Sequence, residues 1–99
     1  MINVKLGRHA YSMSFVTEQR TFGPNEVRLC VIADIYAYCQ GIPTYLNRGI
    51  AICHPQDSFD PLKGAKKALA SATWIFRHDE RKIFQTELES WFSQNGQDV

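Results

Sequence analysis

The chain has no run of apolar residues approaching the roughly 20 that a membrane-spanning helix needs. Its first residues, Met1-Ile2-Asn3-Val4-Lys5, have neither the basic start nor the long apolar stretch of a secretory leader. Cysteine is scarce. Cys30, Cys39 and Cys53 are odd in number, widely spaced and without a Cys-x-x-Cys pair, which argues against a disulfide framework and a zinc ribbon. Three reduced thiols and a cytoplasmic protein are therefore expected. An excess of one charge is also missing: 11 Lys and Arg against 10 Asp and Glu leave a net charge of +1. No overall field draws such a chain onto nucleic acid or an anionic membrane. Residues 1–50 carry +2 and residues 51–99 carry −1, so neither half is a basic arm or an acidic tail. No internal repeat, low-complexity tract or recognisable catalytic motif is present.

What remains is ordinary globular material. Hydrophobic residues make up 44% and charged residues 21%, too apolar for disorder. The 99 residues suit one domain, 1–99, with 94–99 as a frayed tail. That length supports one core and leaves little room for a deep substrate cavity.

The N-terminal half alternates with period two. Ile2, Val4 and Leu6, then Tyr11, Met13 and Phe15, read as one strand bent at Gly7 or as two strands joined there. A turn is expected at Thr21-Phe22-Gly23-Pro24-Asn25. Val27, Leu29, Val31, Ala33, Ile35 and Ala37 form a clean apolar face, which predicts a strand from Val27 to Tyr38 packed on a core. Its other face, Arg28, Cys30, Ile32, Asp34, Tyr36 and Tyr38, is mixed. A second turn at Gln40-Gly41-Ile42-Pro43 leads into a strand from Tyr45 to Cys53. After Asp60-Pro61, an N-cap and first-helical-position pair, the period becomes helical: Leu62, Ala65, Leu69, Ala72 and Phe76. The polar run Arg77 to Lys82 reads as a break, with Asp79 capping a second helix that carries Ile83, Phe84, Leu88, Trp91 and Phe92. One continuous helix over 61–93 is the alternative. The expected fold is α+β: an antiparallel meander of three to four strands packed against two C-terminal helices.

Few residues invite chemistry. Cys53 and His54 are neighbours on a strand and point to opposite faces, which disfavours both a shared metal and a thiol–imidazole pair. Cys53 is expected to fill the core, Pro55 to end the strand and His54 to lie at the sheet edge. Asp57 and Asp60 suit turn formation and N-capping better than acid–base work, and Phe59 suits a hydrophobic staple. No catalytic residue, metal ligand or cofactor is expected. Two surface sets remain. Arg28, Asp34, Tyr36, Tyr38, Tyr45 and Arg48 are residue types that anchor protein interfaces. Lys63, Lys66, Lys67 and Arg77 offer a basic helix face for phosphates, with the sheet tyrosines as stacking platforms.

The stretch from Arg48 to Ala72 resembles a segment of small phage-encoded proteins of unknown function, with a pattern close to G-x-A-x-C-x-P-x-D-x-F followed by Gly and helical alanines. The matching residues are Gly49, Ala51, Cys53, Pro55, Asp57, Phe59, Gly64, Ala68 and Ala72. An aromatic-bearing second helix follows in both, here Arg81 to Trp91. The chain departs at the helix start, where Ala65 rather than a basic residue follows Gly64. The resemblance transfers no catalytic residue. It implies a phage origin and a non-enzymatic protein that binds a host or defence protein stoichiometrically, a CRISPR complex included. A nucleic-acid-binding accessory protein is the alternative, with weak nonspecific binding expected at most. An uncovered strand edge or apolar patch would support a homodimer.

Overall fold

The computed structural model describes residues 1–54, 56 and 58–95. Four strands form one antiparallel sheet in chain order: β1 (Ile2–Leu6), β2 (His9–Gly23), β3 (Glu26–Cys39) and β4 (Ile42–Ile52). Two helices follow, α1 (Pro61–Ala72) and α2 (His78–Asn95). The fold is α+β, with four strands and two separate helices. The chain between β1 and β2 reverses in two residues, Gly7 and Arg8, and Gly7 takes a positive φ of 62°. The β3–β4 turn uses Gln40 at φ 53° and Gly41 at φ 79°. Paired positive φ values suit the right-handed twist of a tight hairpin.

Both helices lie on one face of the sheet. Ile2, Val4, Leu6, Met13, Val31, Ala33 and Ile35 point toward them and are buried together with Ala65, Ala68, Leu69, Ala72, Phe84, Leu88 and Phe92. Helix α1 rests on β3 and β4, and α2 on β1. Tyr11, Phe76 and Phe84 close the space between the sheet and α2, with ring centroids 4.8–5.8 Å apart. Edge-to-face and tilted pairs of this kind add to area burial.

Several boundaries differ from expectation. Strand β2 runs through Gly23, so only Pro24 and Asn25 form that turn, and β4 begins at Ile42 with Pro43 inside it. The strand is at the sheet's edge, where a missing N–H is tolerated. The apolar face of β3 is buried only where helices cover it: Val27 is 57% exposed, because β2 and β3 extend past α1. Cys53 lies half-buried beyond the end of β4 and is outside the core cluster. Asp79 is in the first turn of α2 rather than its cap. Instead Glu80 reaches back to accept from the Arg77 N–H at 3.0 Å. Helix α2 takes in Gln94 and Asn95, expected as tail. The expected roles of Pro55 and Asp57 fall outside the described residues.

The joint between sheet and α1 is tight. The Asp60 carboxylate accepts from the N–H groups of Leu62 and Lys63 at 3.1 and 3.2 Å, which satisfies two of the helix's open donors. Phe59 packs on the core beside Gly64. Gly49 on β4 lies directly under α1. A Cβ there would overlap the Ala68 carbonyl oxygen and come within 2.5 Å of the Ala72 nitrogen. At Gly64 the obstacle is a side chain, Val31 Cγ2 at 2.7 Å. Backbone cannot step aside as a valine methyl can. Gly49→Ala should therefore cost about 3 kcal/mol, the upper part of the overpacking range, and Gly64→Ala about 1 kcal/mol. Asp60→Ala should cost about 1 kcal/mol. Urea denaturation curves read all three, and a Gly49→Ala midpoint equal to wild type would remove the close approach.

Candidate functional site

Among the described residues, no helix or loop covers the face of the sheet opposite the helices. Its composition follows from register. Val16 pairs with Ile32, and Ile32 with Ile50, so three branched side chains form a row across β2, β3 and β4. Glu18, Cys30 and Ile52 form the row on one side of it; Ser14, Asp34 and Arg48 form the row on the other. Next come Ser12, Tyr36 and Tyr45. Flanking side chains shield Cys30 and Ile32, which are buried, whereas Val16 is 51%, Ile50 38% and Ile52 48% exposed. The result is an apolar stripe in the middle of an otherwise polar face, the layout of an interface core and rim.

The charges that flank the stripe are paired within the chain, whereas Lys5, out on β1, has no carboxylate partner among the described residues. Arg48 donates to Asp34 through Nε at 2.8 Å and through a second nitrogen at 3.3 Å, a two-pronged contact. Donating this hydrogen bond to Asp34, and then the carboxylate's negative charge, raise the Arg48 pKa above the ordinary guanidinium value. Arg20 pairs with Glu18 at 2.7 Å, and Arg28 with Glu26 two residues away. Arg28 also sits 5.4 Å from the centre of the Phe22 ring. Tyr36 and Tyr45 meet edge to face at 5.9 Å.

All six sequence-derived interface candidates project from this face. Asp34, Tyr36, Tyr45 and Arg48 are adjacent; Tyr38 is opposite Pro43 beyond them, and Arg28 is across the stripe at the start of the projecting hairpin. The stripe itself was missed. Val16, Ile50 and Ile52 come from strands that the sequence does not align, and cross-strand register was the only signal that could have joined them.

The basic set disperses. Lys63 and Lys67 line a small cleft of about 100 Å³ with Cys53, His54 and Phe59. Lys66 turns toward α2 and pairs with Glu89 at 3.0 Å. The Lys66 ammonium first, then the Gln85 amide, hold the Glu89 carboxyl below its usual pKa. Arg77 is drawn to Asp79 and Glu80. A second cleft, of about 200 Å³ between the helices, gathers Lys66, His78, Arg81 and Lys82. In the first cleft, His54 Nδ1 accepts from the Gln56 N–H at 3.2 Å, and the Cys53 thiol lies 3.5 Å from the His54 carbonyl oxygen. These are local turn contacts rather than a thiol–imidazole pair. Among the described residues no group of three His, Cys, Asp or Glu is arranged to hold a metal ion. Nor, among the described residues, is any helix long and apolar enough to cross a membrane.

Comparison with family models, curated proteins and solved structures finds no match for this chain.

Asp34 has an 11% exposed side chain, and its only charged partner among the described residues is Arg48. Removing Arg48 leaves a nearly buried carboxylate uncompensated, whereas removing both charges does not. Arg48→Met should lower the urea midpoint more than the pair Arg48→Met with Asp34→Asn. Equal losses would show that the carboxylate left without Arg48 carries no penalty.

Proposed function

We propose that this chain is a binding protein that acts by occupying another protein's surface, with no turnover, and that the open sheet face is the surface it uses. The observation that carries this reading is the Val16–Ile32–Ile50 stripe, left uncovered and ringed by ion pairs satisfied within the chain. A partner that covers it gains apolar burial and hydrogen bonds to Tyr36, Tyr38 and Tyr45, without having to neutralise unpaired charge. The resemblance around Arg48 to Ala72 supplies the context: a phage-encoded protein that modulates or inhibits a host or defence protein, with CRISPR complexes among the targets. The nucleic-acid reading has less behind it, because Lys66 and Arg77 are engaged by carboxylates and face different ways from Lys63 and Lys67.

The test is affinity capture of the tagged protein from host cells with and without nuclease, followed by titration of the partner recovered. Binding should saturate at a fixed stoichiometry and survive nuclease. Tyr36→Ala or Ile52→Ser should weaken it roughly tenfold or more with the circular dichroism unchanged. His54→Ala and Lys63→Glu should leave it intact. Loss of activity in His54→Ala with binding preserved, and one copy inactivating many targets, would replace this reading with an enzymatic one. Recovery only without nuclease, lost in Lys63→Glu/Lys67→Glu, would replace it with the nucleic-acid one.

A further inference from the structure

The two edges of the sheet are unlike. Strand β1 is five residues long, its exposed positions Asn3 and Lys5 are polar, and α2 packs against it. Strand β4 is 11 residues long with a single charged residue, Arg48, already neutralised by Asp34. Pro43 and the bulge between Ile35 and Tyr36, opposite Leu46, interrupt the first half of that edge. These are ordinary protections against unwanted pairing. The second half, residues 47–52, has neither.

The direction of the free backbone groups there follows from one hydrogen bond. The Cys53 N–H donates to the Leu29 carbonyl at 2.9 Å, so Leu29 and Cys53 are a hydrogen-bonded antiparallel pair. Such pairs alternate along the ladder with pairs whose N–H and C=O point away from each other. With Cys30 opposite Ile52, Ile32 opposite Ile50 and Asp34 opposite Arg48, the alternation turns the N–H and C=O groups of Arg48, Ile50 and Ile52 outward, to the open edge. Three donors and three acceptors, evenly spaced, are set out along an unprotected strand.

We propose that the β4 edge pairs antiparallel with the β4 edge of a second copy of this chain, about a two-fold axis at Ile50. Self-pairing with Ile50 opposite Ile50 engages all three outward residues, with Arg48 opposite Ile52 of the second copy. Arg48 then meets no arginine, whereas centring the axis on Arg48 would set the two guanidinium groups side by side. A second copy is the occupant that the chemistry fits. Antiparallel pairing is self-complementary about a two-fold, and the edge has no unpaired charge to select a charged foreign strand. On the helix side, the α1 residues against Gly49 are Ala68, Ser71 and Ala72, all small, and Ser71 is exposed. On the open side, Arg48, Ile50 and Ile52 all project from the uncovered face. The Val16–Ile32–Ile50 row thus continues into its own copy, and two four-stranded sheets become one of eight strands with an unbroken apolar stripe.

A proline at position 50 separates this from every other mode of association. The Ile50 N–H points away from β3, so Ile50→Pro removes an edge donor and no bond within the chain. Ile50→Thr shortens the side chain and keeps the donor. Sedimentation equilibrium should give twice the chain mass for wild type and for Ile50→Thr. It should give the single-chain mass for Ile50→Pro with the circular dichroism retained. Residue-resolved hydrogen exchange on wild-type protein reads the same edge without any substitution: the amides of Arg48, Ile50 and Ile52 should be protected at high protein concentration and lose protection on dilution. A monomeric wild type, a dimeric Ile50→Pro, or fast exchange of those three amides at every concentration would each overturn the proposal. None of these results bears on whether the open face binds a foreign protein, which the partner titration reads separately.

Discussion

A missing Cβ sets the geometry of this molecule. With only hydrogen at Gly49, α1 descends onto β4 until its backbone lies against strand backbone, and Ala65, Ala68 and Ala72 follow it into contact. Small side chains on a helix permit close approach but contribute little burial of their own. The larger share comes from what that approach permits. Leu69 reaches the core, Asn47 donates to the Ala72 carbonyl at 2.8 Å, and the turn after α1 returns the chain so that Phe84, Leu88 and Phe92 cover β1. The Thr73 hydroxyl, buried at that turn, donates to the Leu69 carbonyl at 2.7 Å and leaves no orphaned acceptor there. Both helices are thereby committed to one face, and the other is left bare.

The sequence was informative wherever local rules decide. Alternation in Val31, Ala33 and Ile35 identified the buried side of β3, and Asp60-Pro61 marked the helix start through capping chemistry that does not depend on the rest of the fold. It was uninformative wherever the answer depends on neighbours distant in sequence. Ile32 looked like one apolar residue on a mixed face; it becomes the middle of a stripe only when Val16 and Ile50 are set beside it by pairing. The lysines show the same limit on a helix. Lys63 and Lys67 are four residues apart and share a stripe, but Lys66 lies far enough around the turn to face α2, and only the position of α2 could reveal that. Glu80, rather than Asp79, closes the start of α2, a choice between adjacent carboxylates that propensity alone does not make.

Electrostatics on the open face serve local order. Glu18 with Arg20, and Glu26 with Arg28, are neighbours on the same side of one strand, so each pair stiffens its own strand and adds little cross-strand attraction. Arg20 is in fact opposite Arg28 in the register, a like-charge pairing that would be unfavourable if each guanidinium did not have its own carboxylate. Individually such exposed pairs are weak. Together they hold the net charge of the surface near zero, so salt should change its behaviour little.

The hairpin that carries those pairs outlasts its support. β1 accompanies β2 only as far as Met13, and β4 accompanies β3 only from the end nearest Cys30. Beyond the Gln19–Leu29 pair, where Leu29 still accepts from Cys53, the sheet narrows to two strands, and Phe22 is 46% and Val27 57% exposed. A two-stranded ribbon is marginal by itself. Its opening breaks a few ladder bonds and exposes almost no new apolar area, so the free energy of that event is uncoupled from the unfolding of the core. The molecule therefore has two stabilities: a high one set under α1, and a low one along a ribbon that unzips from its tip while everything beneath the helices stays shut.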